Sequence, residues 1–206
     1  ELLKQSIHSE GVINLFTDVK EEFSIFDPKF LEEIAKMRGK NLAVELLRKL
    51  IAEQVSLYKG RNLVKSAKFS EMLQRAMNSY LNGMLSNEEV IQELLRLAAE
   101  IAADRKQSEE MGVTPEEMAF YDALTRPEAV KDFYQNEELI AIAKELTDTL
   151  RKSRTIDWQK KETARAKMRL MVKKLLRKHR YPPEGLEDAI DVVIRQCELW
   201  TDSEVA

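Results

Sequence analysis

The stretch F-S-E-M-L-Q-R-A-M-N-S-Y-L-N-G-M, residues 69–84, decides the fold. Its apolar side chains, Phe69, Met72, Leu73, Ala76, Met77, Tyr80, Leu81 and Met84, recur at steps of three and four. That spacing lines one face of a helix, because about 3.6 residues complete a turn. The same period runs upstream through Ala43, Leu46, Leu47, Leu50, Ile51, Leu57 and Tyr58. Downstream it runs through Val90, Ile91, Leu94, Leu95, Ala98, Ile101 and Ala102. No stretch alternates apolar and polar residues for long enough to argue a strand. The prediction is an all-α chain of about eight or nine amphipathic helices in an irregular helical bundle, open to division into two sub-bundles.

Local signals set the boundaries. Asp27-Pro28 places a cap before a proline that suits the first helical position. Ser86…Glu89 and Thr114…Glu117 have the spacing of capping boxes, in which cap and acid satisfy each other's backbone N–H. Asn136 followed by Glu137 and Glu138 puts acids at a positive helix end, and Asp157 is placed to cap a basic helix. Gly60, Gly83 and Gly112 punctuate, and Tyr181-Pro-Pro-Glu184 stops the basic helix. The predicted helices are 28–38, 41–59, 66–83, 87–110, 115–125, 127–134, 137–153, 158–180 and 185–201. Residues 1–26 form a poorly defined N-terminal segment, 27–110 a first helical part and 111–206 a second, with Gln107 to Gly112 as the joint.

Composition narrows the function. With six Gly and five Pro, long loops and tight hairpins should be scarce. No window approaches the ~18 uncharged apolar residues a membrane span needs. The start has no signal-peptide core, and without a leading Met it reads as a piece of a longer protein. A single cysteine, Cys197, excludes an internal disulfide and suits a reducing cytoplasm. There is no phosphate-cradling glycine loop of either the G-x-x-x-x-G-K-[ST] or the G-x-G-x-x-G kind. His8 and His179 lie far apart and neither has a partner at metal-ligand spacing. Cys197 falls on an apolar-patterned helix, where a cysteine is a small hydrophobe. Gln54-Val-Ser-Leu-Tyr58 has the spacing of a nuclease accessory motif, but Leu57 and Tyr58 belong to the apolar stripe. No catalytic, cofactor-binding or metal-binding residue is assigned.

One segment stands apart. Between Arg151 and Arg180 there are 13 Lys and Arg against two acids, in a chain whose net charge is −3. With Met168 at zero, Ala164, Met168, Met171, Val172, Leu175 and Leu176 fall within about −60° to +80°, a core-facing arc. Lys160, Lys167, Lys174 and Lys178 lie on one flank, and Arg169, Lys173, Arg177 and Arg180 on the other. Lys161 inside the arc and Leu170 outside it spoil the pattern. Arg169, Lys173 and Arg177 repeat every four residues with no acid between them on that row, which costs a few tenths of a kcal/mol per like-charged pair. Three readings of what offsets this stay open. A returning helix could present Glu184, Glu187, Asp188, Asp191 and Glu198; a partner protein could be acidic; or the partner could be duplex DNA. Aromatics do not interleave with the cations, since Trp158 and Tyr181 sit only at the ends, and this argues against a single-strand binder.

Certain runs carry more than periodicity. Ile156-Asp157-Trp158, Arg165-Ala-Lys-Met-Arg169, Val172-Lys-Lys-Leu-Leu-Arg-Lys178 and Tyr181-Pro-Pro183 resemble the C-terminal region of the R subunit of type I restriction enzymes. N-L-A-V-E-L-L-R-K-L from Asn41, R-N-L-V-K-S-A-K-F-S-E-M-L from Arg61, E-E-M-A-F-Y-D-A-L from Glu116 and the segment from Ala189 to Leu199, with Gln196 and Glu198, fit the same family in the same order. Together they span most of residues 41 to 200, and the first forty residues read as peculiar to this protein. The resemblance implies a larger subunit, an ATP-driven DNA translocase and nuclease whose catalytic domains, with their ATP and Mg²⁺, lie outside this chain. It implies that this region is a non-catalytic helical module docking that motor onto a methyltransferase core of modification and specificity subunits. The alternatives are an element that guides the DNA backbone at the motor and a brace for the other domains of the same subunit. Candidate contact residues are Arg165, Lys167, Arg169, Lys173, Lys174, Arg177, Lys178 and Arg180 on the basic helix, and the adjacent Phe120 and Tyr121.

Overall fold

A computed structural model of the protein describes residues 25–126, 128–153 and 158–205. Every regular element among them is helical: α1 (Pro28–Lys36), α2 (Lys40–Lys59), α3 (Leu63–Leu81), α4 (Asn87–Glu110), α5 (Pro115–Thr125), α6 (Glu128–Phe133), α7 (Asn136–Ser153), α8 (Glu162–Lys178) and α9 (Pro183–Val205), with a 3₁₀ turn at Trp158–Lys160. None is long and apolar enough to cross a membrane.

The starts follow from side-chain caps. Asp27 accepts the Lys29 N–H at 2.9 Å ahead of Pro28. Ser86 and Thr114 both complete capping boxes, with Glu89 accepting the Ser86 N–H at 2.7 Å and Glu117 the Thr114 N–H at 2.8 Å. α3 begins earlier than the predicted residue 66, because Asn62 accepts the Lys65 N–H at 3.0 Å and caps the helix there. The helix ends at Leu81, and Leu81 and Met84 stand exposed instead of lying on the buried stripe, as does Leu57 on α2.

The predicted single helix over 158–180 is broken. Lys161 is extended (φ −108°, ψ 112°) and α8 starts after it. Trp158 is buried and donates its indole N–H to Thr201 at 3.2 Å, while Gln159 donates to the Glu198 carbonyl at 3.0 Å. These anchors fix the 3₁₀ turn against α9 and force the chain to redirect before α8. Lys161 therefore never sits in the apolar arc; it is exposed at the N-cap. The cap assigned to Asp157 lies outside the described residues.

Two apolar cores form. α1–α4 enclose Phe30, Ile34, Leu47, Ile51, Phe69, Ile91, Leu94 and Ile101. The second core gathers α5, α7, α8 and α9, with Trp158 and Tyr181. Its centre is α5, whose residues from Met118 to Thr125 are all buried. Phe120, 1 % exposed, meets Trp200 edge-on at 6.1 Å, and Tyr121, 8 % exposed, donates to Asn136 at 2.7 Å. Neither offers a surface to a partner, because both pack inside the second core.

A buried polar cluster joins the cores. The Lys65 ammonium pairs with Asp104 of α4 and lies 3.6 Å from Asp122 of α5. Asn62 donates to Asp122 at 2.7 Å and the Tyr58 hydroxyl to Asp104 at 3.1 Å. Gln196 of α9 accepts the Leu63 N–H at 2.8 Å and donates to the Arg61 carbonyl at 2.7 Å, so α9 helps to cap α3. Burial pushes the Asp122 carboxyl up to about 6, against the opposing pull of Lys65 and Asn62. Burial lowers the Lys65 ammonium, but Asp122 and Asp104 outweigh it and hold it above its ordinary range.

Candidate interaction surface

α8 presents its cations in three directions. Met168, Val172, Leu175 and Leu176 are buried and anchor the helix in the second core. The Tyr181-Pro-Pro turn then sends α9 back along it. On the flank facing α9, Arg165 pairs with Glu198 at 2.8 Å, Arg169 with Asp191 and, at 3.8 Å, with Glu187, and Lys173 with Glu187. The pairing runs antiparallel, and it draws the Glu187 carboxyl below the usual range, chiefly through the Lys173 hydrogen bond. These pairs are solvent-accessible, so water and salt screen them and each adds little to stability by itself. Their effect is to cancel the like-charge cost of the Arg169–Lys173 row.

On the flank facing α7, Glu145 receives both Lys178 at 2.7 Å and the His179 ring at 2.7 Å. The hydrogen bond from Lys178, then that of His179, holds the Glu145 carboxyl below its ordinary value. Nothing in the sequence marks Glu145 as a partner of the basic helix, because it lies 34 residues upstream of His179.

The third direction is open. Lys167, Lys174, Arg177 and Arg180 are exposed, and among the described residues none of them makes an ion pair. Lys167, Leu170, Lys174 and Arg177 follow one another at steps of three and four, which is a single row along the helix. Leu170, in the middle of that row, is 53 % exposed. The row ends at an unusual cap. The Tyr181 N–H bonds to the Leu176 carbonyl at 2.9 Å and the Arg180 N–H to the Arg177 carbonyl at 3.0 Å, the Schellman pattern, with Arg180 at φ 59°. Glycine holds the matching positive-φ positions at Gly83 and Gly112; a side chain there costs roughly 1–2 kcal/mol. Close by, Tyr134 donates to the His179 carbonyl at 2.7 Å and stacks on Tyr181, and its neighbour Phe133 is 68 % exposed.

Of the ten candidate residues, four cations are therefore engaged within the chain, four face outward as a group, and the two aromatics are core. Arg165, Arg169, Lys173 and Lys178 form the first set; Lys167, Lys174, Arg177 and Arg180 the second. A separate cleft of about 440 Å³ lies at the joint between the cores, lined by Leu57, Tyr58, Arg61, Asp104, Arg105 and Met118 among others. Among the described residues no three His, Cys, Asp or Glu side chains gather in a way that could hold a metal ion.

Comparison with known proteins bears on the whole chain. Residues 1–203 match the family described as type I restriction enzyme HindI endonuclease subunit-like, C-terminal. The match begins at residue 1, so the first forty residues are not peculiar to this protein. The chain is 37 % identical over 201 residues to the type I restriction enzyme HindI endonuclease subunit of Haemophilus influenzae, covering 96 % of this chain and 19 % of that protein. It is 31 % identical over 193 residues to a Methanocaldococcus jannaschii protein named for the endonuclease subunit of a type I restriction enzyme, MjaIXP, covering 91 % of this chain and 18 % of that protein. The chain thus spans about a fifth of the length of these relatives. No solved structure matches it.

Proposed function

We propose, on the premise that this chain belongs to the C-terminal family of HindI-like endonuclease subunits of type I restriction enzymes, that it is the assembly module of such a subunit. In this reading the module docks an ATP-dependent DNA translocase and nuclease onto the methyltransferase core of modification and specificity subunits. Hydrolysis of ATP and Mg²⁺-dependent cleavage belong to other domains of the subunit. The observation that carries the reading is the outward row of α8. Among the described residues the fold pairs Arg165, Arg169, Lys173 and Lys178 of α8 with its own acids and leaves Lys167, Lys174, Arg177 and Arg180 without any. An uncompensated row on an otherwise well-paired helix fits a surface that is completed by another molecule.

Charge reversal tests this in the intact endonuclease subunit. Lys174→Glu with Arg177→Glu replaces two outward cations that make no internal pair among the described residues. Lys173 is the wrong target, because its reversal would disturb Glu187 and the α8–α9 packing. Size-exclusion chromatography with light scattering, against the purified methyltransferase core, should show the affinity falling about a hundredfold, on the order of 3 kcal/mol for two charged contacts. Helicity should be unchanged. Assembly at wild-type affinity would contradict the reading.

A further inference from the structure

The outward row of α8 is not purely cationic. Leu170 sits between Lys167 and Lys174, more than half exposed, at a helix position where any polar residue would serve without a packing cost. It belongs to neither apolar core. Phe133, still more exposed, adjoins Tyr134 at the Arg180 end of the same row. Arg180 itself holds a left-handed backbone that glycine would adopt without strain. Strain of this kind persists where the surrounding structure holds it, here through the two hydrogen bonds of the cap.

We infer that this face receives a partner protein surface that is acidic around an apolar recess, with Leu170 entering the recess and Lys167, Lys174 and Arg177 meeting the carboxylates. The inference rests on the assembly reading above and narrows it to one kind of contact. A desolvated side chain ringed by polar groups that exclude water, with arginine among the enriched residues, is how protein interfaces concentrate affinity. A DNA backbone offers the opposite chemistry. Phosphates are met by cations and N–H donors, and binding is won by counterion release. A leucine at the centre of such a contact would face phosphate with nothing apolar to receive it. The acidic remainder of the chain, which brings the net charge to −3, also opposes a polyanion more than a protein of modest charge.

The two partners respond to one substitution with opposite signs. Leu170→Lys lengthens the cationic row and removes the anchor, and Leu and Lys have nearly equal helix propensities, so α8 should hold. In the intact endonuclease subunit, Leu170→Lys should weaken binding to the methyltransferase core about tenfold or more. Leu170→Met, which restores an apolar side chain, should retain wild-type binding. Retention of a labelled 30-base-pair duplex, followed by anisotropy across a salt series, should not tighten. Circular dichroism and the melting temperature confirm that each variant is folded. If wild-type subunit binds the core and Leu170→Lys binds equally well, this inference falls while the assembly reading stands. If Leu170→Lys tightens duplex retention and leaves assembly unchanged, the face serves nucleic acid and the inference is overturned. If the wild-type subunit does not bind the core, both fall together.

Discussion

Lys65→Met is expected to cost roughly 3–5 kcal/mol, the penalty for removing one partner of a buried ion pair. Lys65 is the cation that faces Asp104 and Asp122, which are 8 % and 6 % exposed. Methionine matches the length of the lysine stem but brings no charge, leaving two carboxylates in a site that water barely reaches. Tyr58 and Asn62 would still donate to them, and those two hydrogen bonds cannot replace the ammonium. For a chain of this size the melting temperature should fall by roughly 10 °C or more. The loss should also depend on pH. Because the Asp122 carboxyl is pushed up to about 6 in the folded protein, the folded state holds that proton more tightly than the unfolded chain does. Stability from this group is present at acid pH and is lost as the pH rises through 6. Removing Lys65 strips away the attraction that restrains the upward shift. The deficit should be largest above pH 6 and should shrink below it, as read from urea midpoints at pH 5 and pH 8. A loss under about 1 kcal/mol at pH 8 would show that the cluster does not hold the two cores together.

The second large effect is at Phe120. Truncation of a fully buried aromatic removes its transfer energy and leaves a cavity, so Phe120→Ala should cost about 3–5 kcal/mol. The ring lies at the centre of α5 against Trp200, where α5 and α9 pack together. Phe120→Leu, which keeps most of the volume, should cost under about 1.5 kcal/mol. Chemical denaturation of both variants checks the ranking. The outcome also separates two roles for the Phe120–Tyr121 pair. A core residue loses stability when truncated and affects assembly only through unfolding. A contact residue would keep its stability and lose assembly; that pattern at Phe120 would contradict the burial described here.

What could be read from sequence was whatever is decided within a turn or two of chain. The capping boxes at Ser86 and Thr114 have both partners three residues apart, and α4 and α5 fall at their predicted limits. The apolar stripe of α3 located a core. Features set by distant residues escaped. The break at Lys161 depends on Trp158 reaching Thr201, 43 residues away. The start of α3 at Leu63 is supported by Gln196, more than a hundred residues on. The cluster of Lys65, Asp104 and Asp122 needs three helices before its charges meet. One signal was present: Asp104 continues the buried series Leu94, Leu97, Ala98 and Ile101 on α4, and an acid on a core face calls for a buried partner.

The basic helix shows the same division. Its core arc and the acids of the returning helix were legible, and Glu187, Asp191 and Glu198 do pair with it. Which cations would remain unpaired was not legible, because Glu145 comes from α7 and because the turn at Arg180 sets where the row ends. In the sequence Leu170 falls outside the core arc and breaks the pattern. In the folded protein it is the one large apolar side chain on the outward row.

The central claim, that the outward row of α8 is covered when the complex assembles, is tested most directly by lysine-reactive footprinting of the intact endonuclease subunit, free and bound to the methyltransferase core. Lys36 on α1, whose side chain is 78 % exposed and pairs with Glu32 of the same helix, serves as the internal reference. Lys167 and Lys174 should lose reactivity on assembly, because a covered ammonium is no longer open to the reagent, while Lys36 stays unchanged. Equal labelling of Lys167 and Lys174 in the free and bound subunit would contradict the account.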